Sequence, residues 1–450
     1  MDLEIEGEDY NKMTREDLIE KIRKLSCHVK QLRNVVKRDT ADDIRSIKKA
    51  RRNRAFDFSK HPKRHVALKV AYLGWDYQGL AVQEDTDNTI EAHVFLALTK
   101  SKLIQDRSTS NYHRCGRTDK GVSAFCQVLS IDLRCKCNAG LGVITSQLED
   151  SAQNEKLISD LALEIDYCKI LNAILPKEIR VLAWAPVSPE FSARFDCKER
   201  MYRYLIPAGD ADLNAMRRAG AYLIGEHNFQ NFCKVDTSGE KTTIRRIISF
   251  KMSKCSPPED VQSCDQYCIY EMEICGQSFL WHQIRCIVAV LILVGKGLEE
   301  PEIVRDLLDL EKMPKKPQYS MAMDFPLVLF DTHHGSEIKE WISSPENTYH
   351  VITDLQTMWS QHALKAQMVL GMLKSLECCS SGAVEQTDFL SKSVPHRYIP
   401  ACSSPSKIPT RHLDCLVMGT KTKIYKPLSQ RPVCAKVQNS SSECVGNSTA

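Results

Sequence analysis

The pattern of apolar and polar positions divides the chain into stretches of different period. The first is helical. Thr14 and Asp17 form a capping pair ahead of Leu18, Ile22, Leu25, Val29, Leu32 and Val36, whose alternating four- and three-residue steps make a heptad seam. β-Branched residues at a and leucine at d favour parallel pairing, but about three heptads are short for a free-standing helix. A helix packed on its own domain and a short coiled coil both fit residues 1–44. The period then changes to two. Leu68, Val70 and Tyr72 share one face of a predicted strand, and the turn-like Gly74 to Gly79 leads to a predicted helix from Thr89 to Leu103. A polar loop, Asp106 to Gly121, precedes a strand in which Leu129, Ile131 and Leu133 alternate with Val128, Ser130 and Asp132.

The same rhythm returns further on. Tyr202, Tyr204 and Ile206 alternate as a strand, a helix follows from Leu213 to Leu223, and two strands run through Ile248, Phe250, Met252 and through Cys268, Tyr270, Met272, Ile274. A strongly apolar helix is predicted from Phe279 to Val294. Strands and helices mixed with short connections imply an α+β fold of two halves, 66–188 and 189–373, whose sheets can join. From 374 to 450, Ser, Cys, Pro and Lys dominate and aromatic residues nearly vanish. Such a tail buries too little apolar surface to offset its ordering entropy, so it is expected to be mostly disordered.

Composition narrows the class. At 450 residues, 43% hydrophobic and 26% charged, the chain can bury a sizeable core. Its longest apolar run, Cys286 to Val294, is too short to span a bilayer, and the acidic, polar start reads as no secretory signal. No membrane role is expected. Nineteen cysteines are many, but no C-x-x-C pair occurs; Cys135 with Cys137 and Cys264 with Cys268 come closest. The cysteines therefore read as free thiols, with no metal site. Charge is uneven, because Arg45 to Lys69 holds ten Lys/Arg against the single acid Asp57. Residues 45–65 read as a basic arm, either a phosphate-backbone contact or a solvated linker. Lys48 to Arg54 resembles a nuclear localisation signal, which implies the nucleus, with the cytoplasm as a second site.

The segment His113-Arg-Cys-Gly-Arg-Thr-Asp-Lys-Gly-Val-Ser-Ala124 carries the sharpest chemistry. One carboxylate, Asp119, stands among Arg114, Arg117 and Lys120, between Gly116 and Gly121. Cations keep a carboxylate ionised and attract anionic ligands, and glycines let backbone approach a bulky substrate. A loop salt bridge without chemistry also fits these residues.

RCGRTDKGVSA resembles the active-site motif of the TruA family of tRNA pseudouridine synthases. Further segments resemble that family in the same order: Leu68 to Tyr77 with Gln83, Asn172 to Pro176, Phe191 to Phe195 with Met201 to Tyr204, and Phe279 to Arg285. The resemblance covers roughly Val66 to Asp331. It implies a pseudouridine synthase fold with mainly antiparallel sheets and a catalytic cleft between the halves. It implies Asp119 as nucleophile, Tyr202 against the flipped base, Arg285 paired with the aspartate, and Arg117 on the substrate, with no cofactor. The family commonly has histidine where this chain has Ser123. Gly225 to Cys233, the basic extension and the tail resemble the eukaryotic tRNA pseudouridine synthase 3 branch, which implies tRNA positions 38 and 39. Family members commonly act as homodimers.

Overall fold

The computed structural model describes residues 56–144, 164–234, 242–255, 265–380, 412–417 and 424–434. The heptad seam, Lys48 to Arg54 and most of the tail lie outside the described residues. Residues up to Lys60 form a unit of their own, of which a short 3-10 turn, Phe58–Lys60, is described. The remainder is an α+β unit beginning at His61.

In chain order its elements are β1 (Lys63–Tyr72), α1 (Ile90–Lys100), β2 (His113–Arg114), β3 (Ser123–Arg134), β4 (Val143–Ile144), α2 (Tyr167–Asn172) and β5 (Ile179–Pro186). Then come β6 (Glu199–Pro207), α3 (Leu213–Ala221), β7 (Gly225–Asn228), β8 (Ile244–Lys254), β9 (Ile269–Gly276), α4 (Gln283–Gly295), α5 (Ile303–Leu308), β10 (Leu327–His333) and α6 (Pro345–Ser380). Side-chain caps start several helices: Thr89 accepts from Ala92 N–H, Asp166 from Lys169 N–H and Asp212 from Ala215 N–H. Ser344 accepts from Asn347 N–H, ahead of Pro345 in the first turn of α6.

One ten-stranded sheet runs in the order β4-β1-β3-β10-β6-β9-β8-β7, with β5 on β1 and β2 on β3. The two halves are therefore joined, and β10 joins them: it lies parallel to β3 at Val328 and Leu329 and antiparallel to β6. Every other pairing is antiparallel.

The strand expected from Leu129, Ile131 and Leu133 has two buried faces rather than one. Those three pack in the core of the first half, while Val128 and Cys126 pack into a smaller core on the other face. A central strand of a covered sheet behaves this way. In β8 the expected inward residue Ile248 is exposed and Ile247 is buried. The pairing with β9 slips between Ile247 and Ser249, and one such bulge exchanges the faces that alternation alone would assign. The second core surrounds α4, where every residue except Leu293 is buried; its apolar run from Cys286 to Val294 leaves no polar face for water. No helix among the described residues is long and apolar enough to cross a membrane.

Two boundaries differ from expectation. The basic arm does not reach residue 65. Lys63 to His65 belong to β1, and Arg64 is buried, with Nη2 3.1 Å from Ala139 O and 3.5 Å from Glu164 Oε2. An arginine held inside by a carboxylate and a carbonyl cannot reach a phosphate. Parts of the supposed tail are ordered on the second core: Leu413, Leu416 and Leu428 are buried there, and Val417 and Val433 bridge to Ala322 and Pro317. These few apolar residues, spaced widely among polar ones, supply the burial that average composition hides.

Candidate active site

The loop from Cys115 to Val122 connects β2 to β3, and polar contacts fix it from below. Cys115 N–H donates to Val128 O at 2.9 Å, and Gln127 Nε2 donates to Gly116 O at 2.9 Å. The Thr118 hydroxyl meets Tyr72 Oη at 2.7 Å, while its carbonyl accepts from Leu80 N–H at 3.1 Å. The Gly74 turn lies so close that a Cβ there would stand 2.0 Å from Val122 O, so only glycine fits. Gly74 N–H also donates to Ser123 Oγ at 3.0 Å. Ser123, where the family pattern has histidine, thus ties the turn to the loop.

Behind the loop, Glu91 on α1 is fully buried and gathers its cations. Its carboxylate accepts from the Tyr112 hydroxyl at 2.7 Å, Arg107 Nη2 at 3.0 Å and Val82 N–H at 3.1 Å, and it pairs with Arg114. Arg114 therefore braces the loop through Glu91.

Asp119 is half-buried, and the groups at its carboxylate come from the other half. Trp281 Nε1 donates to Oδ1 at 3.2 Å, and His282 Nε2 lies 3.5 Å from Oδ2. These side chains are presented because α4 starts at Gln283, later than its apolar pattern suggests. His282 has a left-handed backbone (φ 62°), and the Gln283 side chain accepts from Leu280 N–H at 2.7 Å. Residues 279–282 thus turn outward before the helix begins. The Trp281 ring is half exposed, with Lys234 Nζ 4.0 Å from its centroid.

Burial holds the His282 imidazole below its ordinary range; Asp119 opposes that shift, and Arg285, Lys234 and Lys316 reinforce it. The unfolded chain then binds the extra proton first. Stability should be complete above about pH 6.5 and decline as pH falls below it. Urea midpoints measured across that window should show a slope that His282→Asn flattens; an unchanged slope contradicts the assignment.

Arg285 stands in the first turn of α4, buried, as expected of a cation ahead of an apolar run. Its Nε donates to Ala322 O at 2.9 Å and Nη2 lies 3.7 Å from Asp324 Oδ2. The Asp119 carboxylate meets Trp281 Nε1 and His282 Nε2. A side chain in a first helical turn leans back towards the helix start, and the 322–324 segment lies there. Asp324 in turn packs on Gly121 (φ +77°), where a Cβ would meet its Cγ at 2.8 Å. Arg285 thus bears on the loop through Asp324.

Tyr202, on β6, meets Phe279 edge-on at 5.2 Å. Burial raises its phenol above the ordinary range, and the negative charge of Asp119 adds to that, so the hydroxyl stays protonated at neutral pH. Arg117 and Lys120 flank Asp119 and are exposed. The structure brings Asp119, Trp281 and His282 together at the junction of the halves. Sequence reasoning missed Trp281, His282, Asp324 and Glu91. The available signal was a Trp-His pair directly ahead of the longest apolar run.

A carboxylate-bearing loop from one half, closed over by a turn from the other, defines a class as well as a place. The family model described as tRNA pseudouridine synthase matches residues 219–334, which hold Trp281, His282, Arg285 and Asp324. The chain is 42% identical to the tRNA pseudouridine(38/39) synthase of Mus musculus, across 96% of this chain and 88% of that protein. It has the same identity and coverage with the Homo sapiens protein of that name, and 37% identity with the one from Saccharomyces cerevisiae over 72% of this chain and 71% of that one. The chain belongs to the tRNA pseudouridine synthase family, whose members are isomerases.

Proposed function

We propose that the chain isomerises uridine to pseudouridine in the anticodon stem-loop of tRNA, at positions 38 and 39, with Asp119 as the nucleophile. The observation that carries this reading is the Asp119 carboxylate, half-buried at the junction and held by Trp281 Nε1 at 3.2 Å. The names of the relatives at 42% identity support the choice of positions.

The reaction breaks the N1–C1′ bond and forms C5–C1′. C5 loses a proton and N1 gains one, so substrate and product are isomers and no electron or group donor is required. A carboxylate that adds and later leaves divides this into easier steps, and attack at the ribose C1′ or the pyrimidine C6 both fit. The base must first leave its stack. Tyr202 and the exposed Trp281 offer rings for it, and the protonated Tyr202 hydroxyl can donate to it. Arg117, exposed beside Asp119, can hold the flipped nucleotide's phosphate. Arg285 acts as a positioning residue through Asp324. No cofactor enters this scheme. Release of tritium from tRNA labelled at uridine C5 tests it: a tRNA with uridine at 38 and 39 should release label, and one with cytidine at both should not. Equal release from the two would overturn the assignment of positions.

The basic arm is proposed to add nonspecific phosphate contacts, and Lys48 to Arg54 to direct the chain to the nucleus. Because Arg64 is part of β1, the test deletes residues 1–55 and no further. The truncated chain should keep its fold and bind tRNA more weakly with a shallower salt dependence; an unchanged salt slope would show that the arm does not touch phosphate. A homodimer is proposed as the working form. The heptad seam supports it, as does α6, which exposes Trp359, Met368 and Met372.

A further inference from the structure

Beneath the Asp119 loop, two cysteines and a histidine from distant parts of the chain converge. Cys115 opens the loop, Cys197 precedes β6, and His334 follows β10. All three are buried, and their ligand atoms lie within 4.8 Å of one another. The two Sγ atoms are 3.3 Å apart. His334 Nε2 lies 3.2 Å from Ala193 O. A carbonyl only accepts, so Nε2 carries the ring proton and Nδ1 keeps its lone pair. A metal-ligating histidine has this arrangement, with its second nitrogen donating to a carbonyl or carboxylate. The isomerisation uses none of these groups.

We propose that Cys115, Cys197 and His334 form a binding site for a zinc-class cation, with a water in the fourth position. Two soft thiolates and one imidazole are the donor set that such an ion selects. Geometry separates ligation from a disulfide. Tetrahedral zinc with bonds of about 2.3 Å sets two sulfurs about 3.8 Å apart, whereas a disulfide needs about 2.05 Å. The observed 3.3 Å is nearer to the former. Binding would release the thiol protons of Cys115 and Cys197. The ion would fasten the start of the Asp119 loop to the ends of β6 and β10, the strands that join the halves.

The test starts with full-length protein stripped by chelator and kept reduced. Titration with Co²⁺ should produce a thiolate-to-cobalt absorption band that saturates near one equivalent, and Zn²⁺ should displace it. Cys197→Ser and His334→Ala should lose most of the band, and Cys126→Ser should keep it. Should a variant fail to fold, alkylation of the wild-type chain decides the matter. Zn²⁺ should shield Cys115 and Cys197 at least about tenfold, and metal removal should lower Tm. Absence of the band in wild type, or equal alkylation with and without Zn²⁺, would overturn the site.

Discussion

Asp119→Asn should abolish pseudouridine formation while leaving tRNA binding within about threefold of wild type. Asparagine keeps the shape of the side chain and an oxygen to accept from Trp281 Nε1, now 3.2 Å from Oδ1. It removes the charge and the oxygen proposed to attack. Loss of a group that forms the covalent bond is worth at least ~10⁴-fold in turnover, about 5.5 kcal/mol of transition-state stabilisation. Single-turnover tritium release with enzyme in excess measures that step, and filter binding measures affinity. Turnover within tenfold of wild type would remove Asp119 from the chemistry. Parallel loss of binding would instead make it a substrate-holding group.

The second large effect lies behind the loop. Glu91→Gln should cost about 3 kcal/mol of stability, read as a lower urea midpoint with an unchanged slope. The carboxylate is completely buried and serves Tyr112, Arg107, Arg114 and Val82 N–H together. The amide keeps the volume but leaves Arg114 without its counter-charge in a largely buried place. Arg107 is partly exposed and regains water, which keeps the expected cost at the lower end of the range for a broken buried pair. A midpoint within error of wild type would show that solvent already screens these cations.

Much of the fold was legible because its elements declare themselves locally. The alternation of Tyr202, Tyr204 and Ile206 marked β6, and the apolar run to Val294 marked α4. What escaped depends on contacts between distant residues. Nothing at Leu327 to His333 announces that this strand joins the two halves, since a parallel pairing is set by its partners. The exchange of Ile247 for Ile248 needs a bulge that propensity does not show. Arg64 read as part of a phosphate-binding arm because its ion partner, Glu164, lies a hundred residues further on. In the site, the RTD triplet pointed to Asp119, and the segment Phe279 to Arg285 to its neighbourhood. The contact of Arg285 with Asp324 was not legible, since the helix start sets which way that side chain leans. Cys115, Cys197 and His334 have no spacing that a pattern could find.

Base-resolved mapping of tRNA after incubation with the purified chain tests the central claim most directly, run beside Asp119→Asn and with free uracil assayed in the same tubes. The account predicts pseudouridine at positions 38 and 39, none with the variant, and no uracil released. Pseudouridine formed by Asp119→Asn as well, or glycosidic cleavage to free uracil in place of pseudouridine, would contradict it.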